Sequence, residues 1–342
     1  MNDVAKAADV SVATVSAVVN GTVPVSQKLK GRVEEAIRSI GYQRNVIARN
    51  LKVGSTRTIG LVVADVTNPF FTDVVAVIQD VLHRAGFAIM LCSSDEDMAL
   101  QDEQVSLLLE RMVDGLIIAP TGDDAELKRI LAKTRIPVVL IDRMCEGMEV
   151  DAVTLDNRAA VREAITYILS LGHNPIGYIS GSLDTSTGRD RLSGYKAALE
   201  EAQIPFDPTV VKVGHFREKD AYGATFALLA GQRRPTAIFS ANNLMTIGVM
   251  KAIRDLGLRC PEDVSVASLD DFAWADVFQP YLTTIAQPVQ AIGEQAARLV
   301  LERAKGETGK AHHIVLQGRL IVRNSCRPVM DRAVSSLASG SS

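Results

Sequence analysis

Of the 342 residues, 47% are apolar, enough to bury the cores of two or three domains. No apolar run approaches membrane-spanning length, the start of the chain lacks a secretory pattern, and Cys92, Cys145, Cys260 and Cys326 are too scattered for a disulfide frame or a zinc site, so a cytoplasmic location without membrane contact is expected. The net charge of −3 is unevenly divided: up to Thr58 nine bases meet four acids, a net of +5 that leaves −8 for the rest, and a basic head on an acidic body suits an anionic partner at one end.

Asp3 to Ala8 reads as a short helix, followed after Asp9-Val10-Ser11 by a second one. Ser11 is a good N-cap, and Val15, Val18 and Val19 fall on one side at helical spacing. Val12 lies at the edge of that stripe, and Ala13, Ser16, Ala17 and Asn20 lie opposite. Two short helices joined so tightly form either a helix-turn-helix, able to lay its second helix in a DNA major groove, or any small helical hairpin. Ser26 should cap a third helix running to about Ile40, with Leu29, Val33, Ile37 and Ile40 inward. Asn45 caps a segment to Leu51 or Lys52 that is too short to hold as a helix alone.

From Thr58 the pattern changes. Ile59 to Ala64 is a continuous apolar run of the kind found in buried parallel strands. Helices near 70–85, 105–112 and 127–131 alternate with strands at 87–91, 115–118 and 137–141. A second series beginning near Val153 alternates helices near 159–171, 192–202, 221–229 and 245–256 with strands at 176–179, 210–213, 236–239 and 264–267. A helix over 289–305 and strands at 314–316 and 320–322 follow. Strand and helix alternating twice over predict an α/β body of two doubly wound halves of parallel sheet. The Ser/Gly-rich end, 329–342, is expected to be a disordered tail.

The words themselves narrow the choice. Asp3-Val-Ala, Val10-Ser-x-Ala-Thr-Val-Ser16, Asn20, Gly41-Tyr42 and Asn45-x-x-Ala48-Arg49-x-Leu51 resemble the LacI/GalR family of bacterial transcription regulators, and the resemblance continues to about Pro328. It implies a helix-turn-helix head over 1–44, a hinge helix and linker over 45–57, and a two-lobed body over 58–328 of the type I periplasmic-binding-protein fold. The lobes would comprise 58–156 with 287–310, and 157–286 with 311–328, the chain crossing three times. It also implies a homodimer or tetramer on a pseudo-palindromic DNA operator, with a small-molecule effector and no cofactor or metal.

By that resemblance Val12, Ala13 and Ala17 stand where side chains touch base edges. Relatives usually carry arginine at the last, and alanine cannot make its bidentate contact with guanine. Thr14, Ser16 and Asn20 remain as polar groups for phosphates or bases. Leu51 matches a minor-groove wedge, with Arg49 and Lys52 beside it for phosphates. In the body, Asn68, Phe70, Phe71, Asp142, Arg143, Arg191, Asn242, Asp270 and Gln287 match the sugar-contacting set of ribose-binding proteins and repressors like them, with Phe216 and Trp274 as further walls. Ligands of open α/β sheets bind outside the carboxyl ends of strands, where these residues fall. Carboxylates, amides and guanidinium groups suit vicinal hydroxyls, and aromatic rings suit sugar C–H faces.

Other classes fit less well. Asp142 and Asp270 could be a glycosidase pair, but each has a better role as a hydroxyl acceptor. The histidines lack metal-ligand spacing, and Gly181 to Gly188 lacks the lysine of a phosphate loop. The expected function is therefore a non-enzymatic repressor of sugar-utilisation genes answering to an unphosphorylated monosaccharide. A sugar-binding paralogue with weakened DNA recognition is the alternative that Ala17 keeps open.

Overall fold

The computed structural model describes residues 1–20, 23–41, 55–122, 125–231, 233–272, 275–277 and 279–329; the side chain of Asn20 lies outside this description. The chain divides into two compact units, Met1–Ser55 and Thr56–Ser342.

In the first unit, α1 (Asn2–Ala8), α2 (Val12–Asn20) and α3 (Gln27–Ser39) share one small core of Val4, Ala5, Ala8, Val15, Val19, Val33 and Ala36. The turn between α1 and α2 is held at both ends. The Ser11 hydroxyl accepts from the Thr14 amide at 3.1 Å, and Arg32 on α3 donates to the carbonyls of Ala8 and Asp9 at 2.6 and 3.0 Å. Those are carbonyls a helix end leaves unpaired. Ile40 is not part of the inner face. The helix stops at Ser39, Ile40 is its C-cap and 43% exposed, and Ala36 takes the core position.

The second unit begins two residues earlier than the sequence suggested. Asp114 accepts from the amides of Thr56 and Thr58, at 3.0 and 3.3 Å, which draws the incoming chain onto the sheet. Strands β1 (Thr58–Val63), β2 (Ala88–Ser93), β3 (Gly115–Ile118), β4 (Val138–Ile141) and β5 (Asp151–Leu155) alternate with α4 (Pro69–Arg84), α5 (Met98–Glu110) and α6 (Ala125–Leu131). Along β1, Ile59, Leu61 and Val63 pack on the side of α4, and Val62 packs with Val105 and Leu108 of α5 on the other side. With both faces covered, the strand reads as unbroken apolar sequence.

The second series starts at α7 (Asn157–Ser170), not at Val153. It continues with β6 (Ile176–Ser180), α8 (Ser186–Glu201), β7 (Val211–Val213), α9 (Glu218–Ala230), β8 (Ala237–Ser240), α10 (Asn243–Asp255), β9 (Ser265–Leu269) and β10 (Thr283–Ala286). Then α11 (Val289–Ala304) packs on α4, and the chain ends its sheets with β11 (His313–Leu316) and β12 (Arg319–Ile321). The strand orders are β11-β5-β4-β3-β1-β2 and β12-β10-β9-β8-β6-β7. Among the described residues every strand pairing is parallel except that of β12 with β10.

The chain therefore crosses between lobes after β5, after β10 and after β11. The last crossing corrects the sequence reading. β11 pairs with β5 in the first sheet, so the return to the second lobe falls at Gln317-Gly318 rather than at residue 311. Strand β10 escaped the sequence pattern because it opens with two threonines. Both are fully buried, with hydroxyls engaged: Thr283 accepts from the Arg323 amide and Thr284 donates to Asp271.

Candidate functional site

The start of α2 is the candidate DNA-reading surface. Val12 is 44% exposed and Ala13 is exposed, whereas Thr14, Ser16 and Ala17 are half-buried. Val12 and Ala13 offer only methyl groups there, suited to apolar contact with thymine methyls. The Asn20 side chain, Arg49, Leu51 and Lys52 lie outside the described residues, as does Trp274.

The body carries the second candidate site, where the carboxyl ends of the two sheets meet. In the first lobe Asn68 caps α4, its Oδ1 accepting from the Phe70 amide at 2.9 Å. Phe70 and Phe71 follow in an edge-to-face pair, centroids 5.0 Å apart. Asp142 and Arg143 follow β4, Asp142 in the left-handed region at φ 63°. In the second lobe Arg191 lies on α8, Phe216 follows β7 at φ 60°, Asn242 caps α10, Asp270 follows β9 at φ 72°, and Gln287 lies at the second crossing. All ten are less than 9% exposed. Gly181, just past β6, makes room for Phe216: a Cβ there would lie 2.0 Å from the ring.

Contacts run across the cleft. Asp142 Oδ1 lies 3.7 Å from Arg191 Nη2, and the Arg143 guanidinium lies 4.9 Å from the Phe216 ring centroid. Asn243 donates to Asn68 Oδ1 at 2.9 Å. At the rim Arg189 pairs with Glu146, Arg217 with Asp95, and the Ser186 hydroxyl accepts from the Met144 amide at 2.9 Å. These contacts join the two lobes across the cleft.

The polar side chains are unequally committed. Asn242 caps Met245 and donates to the Phe216 carbonyl, so both ends of its amide are occupied within the second lobe. Arg191 donates to Asn157 and to the Ala241 carbonyl, at 2.7 Å each. Gln287 donates to Asp270 at 2.6 Å. Asp142 Oδ1, Gln287 Oε1 and Arg143 Nε are buried without a hydrogen-bond partner, two acceptors and a donor held in the cleft. Burial raises both aspartates, Asp142 against the pull of Arg143 and then Arg191, and Asp270 to about 6 against the pull of Arg191. Burial also works against the charge of Arg143, but the Glu96 and Asp142 carboxylates outweigh it and hold the guanidinium protonated.

Sequence reasoning missed Glu96, Asn157 and the bridging role of Asn243. Glu96 forms a bidentate pair with Arg143 and belongs to the polar run Ser93-Ser-Asp-Glu-Asp97 that follows β2 at the same sheet edge. That run was a usable signal.

Residues 1–45 match the family described as bacterial regulatory proteins, lacI family, and residues 165–326 match a periplasmic binding protein-like domain. The HTH-type transcriptional repressor PurR of Vibrio atlanticus (strain LGP32) is 32% identical over 328 residues, spanning 96% of this chain and 98% of that protein. The lac repressor dimer bound to operator and the anti-inducer ONPF is similar in structure, with a TM-score of 0.84 at 27% identity over 95% of this chain and 98% of that one. A LacI family regulator from Enterococcus faecium with bound ribose gives a TM-score of 0.72 at 30% identity over 80% of this chain and 100% of that one. The likeness runs through head and body alike and over nearly the whole of both chains: this protein belongs to the LacI family of bacterial DNA-binding transcription regulators.

Proposed function

We propose that the protein represses sugar-utilisation genes in the bacterial cytoplasm, and that an unphosphorylated monosaccharide bound between the lobes changes its grip on the operator. The observation that carries this reading is the composition of the buried cleft. Two guanidinium groups, Arg143 and Arg191, face three carboxylates, Glu96, Asp142 and Asp270, so no surplus of positive charge awaits a phosphate. Phe70, Phe71 and Phe216 supply apolar faces beside these hydrogen-bonding groups, a combination that suits a hydroxyl-rich ring. The ribose held by the Enterococcus faecium relative supports the same class of effector.

Coupling to DNA follows from where the linker attaches. Thr56 and Thr58 are tied to Asp114 in the first lobe, so rotation of that lobe on closure pulls on the chain leading to the head. In a homodimer on a two-fold operator, this changes the spacing of the two hinge segments and withdraws Leu51 from the minor groove. Sugar therefore acts as an inducer, with a coupling of about 1–3 kcal/mol. The dimeric lac repressor on its operator supports the assembly.

The test is calorimetry with D-ribose, D-xylose, D-glucose and D-galactose, on the wild type and on Arg191→Ala and Asp270→Ala. One sugar should bind, and each variant should weaken it by about 1–3 kcal/mol. Unchanged affinity in both variants removes the cleft from consideration.

A further inference from the structure

Arg143 has five guanidinium hydrogens, and three are taken up by acceptors in the fold. Nη1 donates to Glu96 Oε2 at 2.7 Å and to the Pro120 carbonyl at 3.2 Å, and Nη2 donates to Glu96 Oε1 at 2.6 Å. Glu96 thus takes the end of the guanidinium bidentately. The remaining edge consists of Nε–H and the second Nη2 hydrogen. Nε lies 3.3 Å from Asp142 Oδ2, within ion-pair reach but not aligned for a good hydrogen bond. The guanidinium carbon sits over the Phe216 ring of the other lobe. A molecule in the cleft can therefore meet Arg143 through one edge, beside a carboxylate.

Glu96 occupies a constrained corner. Asp95 and Glu96 are consecutive left-handed residues, with φ of 49° and 56°, and neither is glycine. Such backbone costs energy and persists where its surroundings hold it. The Glu96 amide donates to the Ala64 carbonyl at 3.0 Å, and the Asp95 carbonyl accepts from Arg217 of the second lobe. The result is a carboxylate only 12% exposed, aimed at an arginine 3% exposed. It also sets the balance of charge. Replacing it by a neutral side chain takes one negative charge out of the cluster of Glu96, Asp142, Asp270, Arg143 and Arg191.

We infer that Glu96 is the positioning and selectivity residue of the effector site. It turns one edge of Arg143 into the cleft and tips the buried charge against anions, so that neutral sugars are accepted while sugar acids and sugar phosphates are refused. The inference rests on the sugar reading proposed above.

The test uses the full-length protein with Glu96→Gln and Glu96→Asp. D-ribose is titrated against ribose 5-phosphate, D-glucose against D-glucuronate, and D-galactose against D-galacturonate. Glu96→Gln should weaken the neutral sugar about tenfold and narrow the preference for neutral over anionic ligand about tenfold. Glu96→Asp keeps the charge but shortens the reach, so it should weaken the neutral sugar and leave the preference as in the wild type. A merely structural role would move both affinities together; an unchanged preference in Glu96→Gln therefore overturns selectivity. Unchanged neutral affinity in both variants overturns positioning.

If none of these sugars binds the wild type, the sugar reading fails separately, and a ligand-free measurement judges the positioning. Solvent exchange of the Arg143 Nε–H, followed by NMR, should be about tenfold faster in Glu96→Gln than in the wild type. Equal rates overturn the inference. Should Glu96→Gln fail to fold, Glu96→Asp gives the same comparison, with faster exchange expected and equal rates again overturning it.

Discussion

Asn68 of the first lobe and Asn243 of the second share a 2.9 Å hydrogen bond across the cleft, and both are at most 5% exposed. Asn68 Oδ1 also accepts from the Phe70 amide, and Asn243 Oδ1 accepts from the Leu244 amide, so each side chain is fixed before the lobes meet. An aspartate at 243 would set an acceptor against an acceptor. Asn243→Asp should weaken sugar binding by about 1–2 kcal/mol by opposing closure of the lobes. Calorimetry beside small-angle scattering checks this; full affinity with normal closure would contradict it.

Stability should depend on pH through Asp270. Burial pushes this carboxyl up to about 6 from 3.8, only partly opposed by Arg191 and Gln287. Between those values the folded protein holds a proton that the unfolded chain has released, so stability falls as pH rises from about 4 to 6 and then levels. Asp142, raised by burial, acts in the same direction. Asp270→Asn removes the Asp270 contribution and should be more stable than the wild type at pH 7 by up to about 3 kcal/mol, the two converging near pH 3.5. Urea unfolding across this range decides; a wild type that gains stability between pH 4 and 6 would rule the assignment out.

The head makes a separate prediction. Ala17 is half-buried on α2 and has no polar group to offer a base. Ala17→Arg should create discrimination for guanine of about 1–3 kcal/mol at one operator position. Fluorescence anisotropy with operators differing only at that base pair measures it. Equal gains on both would show that the new arginine finds phosphate instead.

Leu51 separates the two ends of the mechanism. If Leu51 is the minor-groove wedge that the family resemblance implies, Leu51→Ala should lower operator affinity and leave sugar affinity of the free protein unchanged, because the change takes nothing from the cleft. Gel-shift titration with and without sugar completes the test. Operator affinity insensitive to saturating sugar in the wild type would sink the coupling, and tighter binding would reverse its sign.

The legible parts of the chain were those whose signal is local. The valines of α2, the unbroken run of β1, and Asp142 and Asp270 at strand ends could all be placed because periodicity and strand ends are written in neighbouring residues. What escaped depends on partners distant in sequence. Thr283 and Thr284 read as polar until Arg323 and Asp271 are known to hold them. Glu96 looks like one of several loop acids until β2 is seen beside β1, which brings it to Arg143. The place of β11 depended on a pairing with β5 that nothing in its own residues records.

The same late strands set the order in which this protein comes into being. The three helices of its head are complete once Ser39 is made, but both sheets wait for residues 313–321. β5 is made well before its partner β11, and β10 shortly before β12, so at ordinary elongation rates their edges stay bare to stray partners for about 8–32 s and about 2–7 s. A message cut short anywhere before residue 313 leaves neither lobe whole. Its product is a DNA-reading head with no means of sensing a small-molecule effector, so damage late in the gene disables regulation while sparing the part that touches the genome.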